Sequence, residues 1–239
     1  MNISGPSNSL NLKEISIRAF RAIDDLDSCM RFRRGHLGVL EAFGFELSSS
    51  KEDWMSDPLT YVIIIESPDR EITYGGSRIQ LYGGDLPLPI ESAIGDDVPE
   101  LFQFLRSKEK TKIAELCGLW NSVAVAGLGI GSTYSIRSAI ALGKRLQFQH
   151  MVALCSAFTY RISHRYGFNL VRELAEEGKI YYPGANQYAH ITYQNDLINL
   201  PGTDRTEFER IMEIYSNPNL ETQEKLGDNN VRICYNLEI

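Results

Sequence analysis

The segment Val123–Thr133 reads VAVAGLGIGST and sets Gly127, Gly129 and Gly131 in alternation. It lies between a strand-like run, Lys112–Asn121, and a helix-like run reaching Leu146. Glycine allows sharp turns and close backbone approach, and the opening amides of a helix have no partner inside it. Such a turn holds phosphate oxygens on main-chain N–H groups, helped by the helix dipole. The chemistry indicated is capture of a phosphate-bearing ligand by backbone; the competing reading is a glycine turn with no ligand. A Walker loop needs Gly-Lys-Ser/Thr, and Gly131-Ser132 has no lysine before the serine. A dinucleotide fingerprint needs a third glycine and an acidic residue ending the next strand. Ser132 or Tyr134 stands in the glycine position, and the next strand ends in Cys155-Ser156.

Other chemistry-bearing residues are scattered. Glu115 sits in the otherwise apolar run before the turn, where burial would lift its pKa toward that of a general base. A solvent-facing glutamate on an edge strand would look the same. His150 and His164 are the nearest histidines and read as structural or solvated. Cys29, Cys117, Cys155 and Cys234 form no C-x-x-C pair, so no metal site is expected, and a reduced, cytoplasmic location fits. A net charge of -7 over 239 residues argues against nucleic acid as a partner. No apolar run approaches the roughly 20 residues that span a bilayer, and the Ser/Asn-rich start does not resemble a signal peptide.

The elements that must position these residues follow from periodicity. Ile15–Phe20 alternates as a strand. Asp24-Asp25 caps the run Leu26–Phe43, where Gly35, Gly38 and Gly44 predict one broken helix or two short ones. Tyr61–Ile65 and Ile72–Leu81 form an antiparallel hairpin around Asp69-Arg70. Gly83-Gly84, Pro87 and Pro89 break the chain before a short helix, Pro99–Ser107. After the glycine turn come a helix from Gly131 to Leu146, a strand His150–Cys155, and a helix Phe158–Tyr166 stopped by Gly167. Phe168–Val171 and Tyr188–Tyr193 read as strands, separated by Pro183-Gly184. Thr206–Tyr215 reads as a helix, and the polar stretch from Pro218 as only partly ordered. The class is α+β with a mixed, mostly antiparallel central sheet flanked by helices. Residues 1–14 read as a flexible segment, 15–200 as the main domain and 201–239 as a helical or extended extension.

The order strand, glycine turn, helix, strand, and helix closing on Gly167-Phe168 resembles the GNAT superfamily of N-acyltransferases. That family's loop reads Gln/Arg, two residues, Gly, one residue, Gly/Ala. The register here is Ala126, Gly127-Leu128, Gly129, Ile130, Gly131, with Ala126 replacing the Gln/Arg. The matched region runs from about Lys112 to Val171. A second likeness lies in Tyr74-Gly75-Gly76-Ser77-Arg78, in Ala114–Leu119 and in Trp54–Asp57. It is similar to acyl-homoserine-lactone synthases and long-chain N-acyl amino acid synthases, whose later strand carries Glu-Leu-Ser-Arg. Glu115-Leu116 match; Cys117 and Gly118 replace Ser-Arg.

The resemblance implies transfer of an acyl group to a small-molecule amine by direct attack on the thioester. The donor is acyl-CoA (acetyl-CoA among them) or an acyl thioester of acyl carrier protein, held by Ala126, Gly127, Leu128, Gly129, Ile130, Gly131 and Ser132. Glu115 is the implied base. The family's tyrosine acid falls at Ser163; Tyr160, three residues earlier on nearly the same helix face, reads as a packing residue or as a substitute acid. Arg78, at a strand end, reads either as the partner of a substrate carboxylate or as half of a surface ion pair, and Trp54, in the stretch that resembles the family's substrate-side loop, reads as substrate-side lining or as core. A non-catalytic acyl-thioester sensor of the same fold is the alternative, favoured by the replacements at Ala126 and Ser163.

Overall fold

The computed structural model describes residues 12–42, 52–182 and 186–239. Its centre is the predicted hairpin, β2 (Thr60–Glu66) and β3 (Thr73–Leu81), paired antiparallel. The dense β-branched run Val62–Ile65 suits a strand covered on both faces, and all four residues are fully buried. β1 (Glu14–Arg21) flanks β2, and β4 (Ile113–Asn121) flanks β3, both antiparallel. β5 (His150–Ser156) then runs parallel to β4. β8 (Gln187–Gln194) follows antiparallel to β5, with β6 (Asn169–Leu170) and β7 (Lys179–Tyr182) both paired to β8.

Apolar side chains cover the sheet on two sides. One face carries α4 (Ser135–Arg145) and α6 (Arg205–Ser216) over Ile17, Ile63, Ile79, Leu116 and Ala153. The opposite face is divided. α1 (Leu26–Ala42) packs with Phe32 and Trp54 over Val62 and Ile64. α2 (Pro89–Ile94) and α3 (Glu100–Lys108) cover Ile113, Val152 and Ile191.

The structure departs from the sequence pattern in three places. α1 is one continuous helix, not broken or paired. Asp25 Oδ1 caps it by accepting the Ser28 N–H at 3.0 Å. Gly35 is where the Trp120 indole packs, and a Cβ there would collide with that ring. Phe43 and Gly44 lie outside the described residues, as do Pro183 and Gly184. Second, Pro89 starts α2 rather than only breaking the chain. It occupies the first helical position, and the Glu91 carboxylate accepts the Leu88 N–H at 2.7 Å. Third, the tail expected to be partly ordered forms two strands, β9 (Glu221–Leu226) and β10 (Asn229–Asn236). β10 lies parallel to β1, from Glu14↔Arg232 to Arg18↔Asn236, and puts Val231, Ile233 and Tyr235 into the core.

Candidate active site

β4 and β5 pair only from Ile113↔His150 to Glu115↔Val152 and then separate. The separation follows from β4 itself. Arg78↔Cys117 and Gly76↔Trp120 are register partners, so Gly118 and Leu119 together face Ser77 of β3. Gly118 has φ +57°, the left-handed geometry of a glycine-led bulge. The bulge bends β4 away from β5 and opens the sheet at Glu115.

At the far end of β4 the glycine turn takes shape. A 3₁₀ turn (Val123–Val125) leads to Gly127 and Gly129, with φ +81° and +68°, and a π-turn (Ile130–Tyr134) enters α4. The Gly127 and Gly129 N–H groups have no hydrogen-bond partner among the described residues. A Cβ on Gly127 would meet nothing within 4 Å, so that side of the turn is open. Two other amides of the turn are engaged: Ala126 donates to Val123 O at 3.1 Å and Leu128 to Val125 O at 3.2 Å. Gly131 differs from the sequence reading most. Its N–H donates to Asn121 Oδ1 at 2.7 Å, and a Cβ there would strike the Trp120 carbonyl and Asn121. A Cβ on Gly75 would in turn lie 2.9 Å from the Gly131 Cα. Gly131 therefore serves the crossing of the turn over the sheet. Ser132 directs its hydroxyl to Gly129 O at 3.4 Å, and Ile130 is fully buried in the core.

Glu115 lies where β4 and β5 part, on the face shared with α1 and α2. It is 2% exposed. Its Oε2 accepts the Ile90 N–H at the start of α2 at 2.8 Å, and Oε1 has no partner among the described residues. Burial pushes its pKa up to about 8, against the opposing pulls of the Ile90 hydrogen bond and the Arg78 charge. Gln80, the register partner of Glu115, donates to Pro87 O at 3.0 Å and so ties β3 to the segment carrying α2.

Arg78 is two residues from Gln80 on the same face, beside Cys117. It is 8% exposed, and no carboxylate pairs with it among the described residues. Its guanidinium stands 4.4 Å from the Trp54 ring centroid, a cation–π contact. Phe32 meets both Trp54 and Trp120 edge-on at 6.0 Å. Gly118 makes room for this group: a Cβ there would lie 3.3 Å from Arg78 Nε. His36 joins the cluster without having been singled out from sequence. Burial and then the Arg78 charge lower its pKa to about 4, so it is neutral at pH 7. The Phe32-x-x-x-His36 spacing, one helix face, was the available signal. Cys117, at the same site, has its thiol pushed up to about 12 by burial, which leaves it protonated.

Tyr160 and Ser163 do not join this group. They lie on α5 (Ala157–Ser163), which packs with Ile162 on the α4 face. The Tyr160 ring stacks on His190 of β8, centroids 5.4 Å apart, and the Ser163 hydroxyl donates back to Tyr160 O at 3.1 Å. His150 is held by Asn195 O at 2.8 Å and Tyr193 Oη at 2.7 Å.

The architecture has known counterparts. An N-acyl amino acid synthase, FeeM, from uncultured soil microbes superimposes with a TM-score of 0.60 at 15% identity, over 82% of this chain and 98% of that one. The chain has a GNAT-like fold. The acyl-homoserine lactone synthase LasI gives 0.52 at 14% identity, over 80% and 95% of the two chains. The CoA-dependent acyl-homoserine lactone synthase BjaI, in a structure with SAM and isopentyl-CoA, gives 0.52 at 14%, over 92% and 94%. No protein-family description matches the sequence, and no curated protein does. Within this GNAT-like fold Glu115 and Arg78 lie beside the point where the sheet opens, and the glycine turn follows the far end of β4. No helix among the described residues is long and apolar enough to cross a membrane.

Proposed function

We propose that this protein is an N-acyltransferase that moves an acyl group from a coenzyme A or acyl carrier protein thioester to an amine bearing a carboxylate. The observation that carries the reading is Arg78: a buried guanidinium with no anionic partner among the described residues, on the same sheet face as a buried glutamate. Burying an unpaired charge costs several kcal/mol, and a substrate carboxylate supplies the missing partner. The Trp54 ring, 4.4 Å from the guanidinium, holds it in place by a cation–π contact.

Register sets the reach. Arg78 and Glu115 are diagonal neighbours across β3 and β4, about 7–8 Å apart at the backbone. A carboxylate on Arg78 therefore brings a nearby amine toward Glu115. The free amides of Gly127 and Gly129 offer donors to the phosphate end of the thioester. The amine nitrogen attacks the thioester carbonyl carbon. The C–N bond forms, the C–S bond breaks, and the amine proton passes to Glu115 directly or through a water. The sulfur leaves as thiolate and takes its proton from solvent, since Ser163 is bonded back into its own helix.

The test is thiol release by the purified protein with acetyl- and long-chain acyl-thioesters and a panel of amines with and without carboxylates. The reading expects release that depends on the amine and favours carboxylate-bearing ones. Absence of both turnover and donor binding across the panel overturns it. Tight donor binding with no amine ever acylated would favour the sensor reading, for which the back-bonded Ser163 is the structural support.

A further inference from the structure

We infer that the β9–β10 hairpin is a latch that sets the shape of the glycine turn, with Glu224 as its positioning residue. The inference rests on the acyl-donor reading only for its ligand-binding consequence. The inner side of the turn is fixed by Asn121, through Gly131 N–H. Its outer side is open around Gly127 and meets the hairpin at two points. At Gly227, the hairpin's own left-handed glycine, an added Cβ would stand 3.3 Å from Leu128 Cδ2. Glu224 Oε2 accepts the Tyr134 hydroxyl at 2.9 Å, and Tyr134 is the last residue of the π-turn.

Glu224 has a second contact, and its redundancy identifies the first as the purpose. Arg137 Nη1 donates to both Glu224 oxygens, at 3.3 and 3.1 Å. The Arg137 charge is already met by Glu207, whose Oε2 lies 2.6 Å from Nε. Arg165 Nη2 also donates to Glu207, at 2.8 Å, but Arg165 has a carboxylate of its own in Asp204, whose Oδ2 lies 3.1 Å from its Nε. The second carboxylate is thus surplus to neutralising Arg137. What it alone provides is an acceptor for Tyr134, a residue 1% exposed, and an anchor joining the turn to a strand that no catalytic group occupies. A glycine-rich turn costs backbone entropy to hold in one shape. Contacts made before the donor arrives lower the ordering cost of binding it.

The experiment is amide hydrogen exchange on the full chain, followed by peptides covering 126–134, with coenzyme A binding measured in parallel. Leu128 and Thr133 report the turn, because their N–H groups are bonded to Val125 O and Gly129 O, and Gly131 reports its hold on β4, because its N–H is bonded to Asn121 Oδ1. Glu224→Ala is expected to speed their exchange at least about tenfold and to weaken coenzyme A binding by a similar factor, with β4 protection unchanged. Glu224→Gln keeps an acceptor for the Tyr134 hydroxyl and is expected to stay within about twofold of wild type. Unchanged exchange in the turn of Glu224→Ala overturns the latch, as does loosening spread equally over β4 and α6. If Glu224→Ala does not fold, Leu128→Ala, which removes the other contact, is read the same way. A wild-type protein that fails to bind coenzyme A removes coenzyme A as the donor, while the exchange result still decides the latch.

Discussion

The pH dependence of Glu115 gives the sharpest check on the proposed chemistry. Its pKa is raised from 4.5 to about 8, chiefly by burial. A base must be ionised to accept a proton. About 1% of Glu115 is ionised at pH 6, about a tenth at pH 7 and half at pH 8, given a midpoint of about 8. Turnover should climb close to tenfold from pH 6 to 7, several-fold more to pH 8, and then level off. Glu115→Gln should lose about 10²–10⁴-fold in kcat and lose this limb of the profile. The acceptor amine titrates too, and the variant isolates its share. Stability moves in the opposite direction. A carboxyl whose folded pKa is raised favours the protonated folded state, so its contribution is full below about 4.5 and is lost as pH rises through about 8. The slope inside that window is at most about 1.4 kcal/mol per pH unit. Glu115→Gln keeps an acceptor for the Ile90 N–H, so it should melt close to wild type at pH 5 and above it at pH 9. The assays are initial rates of thiol release and thermal melts across pH 5–9. A wild-type profile that is flat from pH 6 to 9, or one that Glu115→Gln reproduces, refutes the assignment.

Arg78→Met should raise the acceptor KM about 10–100-fold, the worth of a charged hydrogen-bonded pair, while leaving thermal stability equal or higher because an unpaired buried charge is gone; a fall in Tm with unchanged KM would contradict both parts. Gly131→Ala should cost about 1–3 kcal/mol in denaturant unfolding through overpacking against Trp120 and Asn121, whereas Gly127→Ala, with open space around it, should cost only the left-handed backbone penalty of about 1–2 kcal/mol. Deleting 219–239 should abolish the cooperative melt seen by circular dichroism, since it removes Val231, Ile233 and Tyr235 from the core and bares the edge of β1.

Much of this architecture is readable from local pattern. The β-branched Tyr61–Ile65 run, the strand before the glycine turn and the helix after it are set by periods of two and 3.6, which act over a few residues. β9 shows why the tail was missed. Its residues Glu221-Thr222-Gln223-Glu224-Lys225 are mostly polar, as an edge strand permits, and only pairing with β10 makes a strand of them. The alternation of Val231, Ile233 and Tyr235 did carry a signal. Sequence placed Glu115 in an apolar strand, but its neighbour at Ile90 comes from a helix that began with a proline. Gly131 illustrates a deeper limit. Its type announced a close approach, and only the tertiary structure shows that the approaching group is Trp120 and Asn121 rather than a ligand. The same holds for Arg78: a residue type cannot reveal that no carboxylate among the described residues pairs with it.

The parallel pairing of β1 with β10 has a consequence for biosynthesis. Contacts such as Arg232 with Glu14 join positions 218 residues apart. At ribosomal rates of about 5–20 residues per second, the first strand waits on the order of ten to forty seconds for its mate. Throughout that interval the nascent chain presents a sticky, half-finished border, and a chaperone that shields it should raise the yield of native protein more than any slowing of elongation.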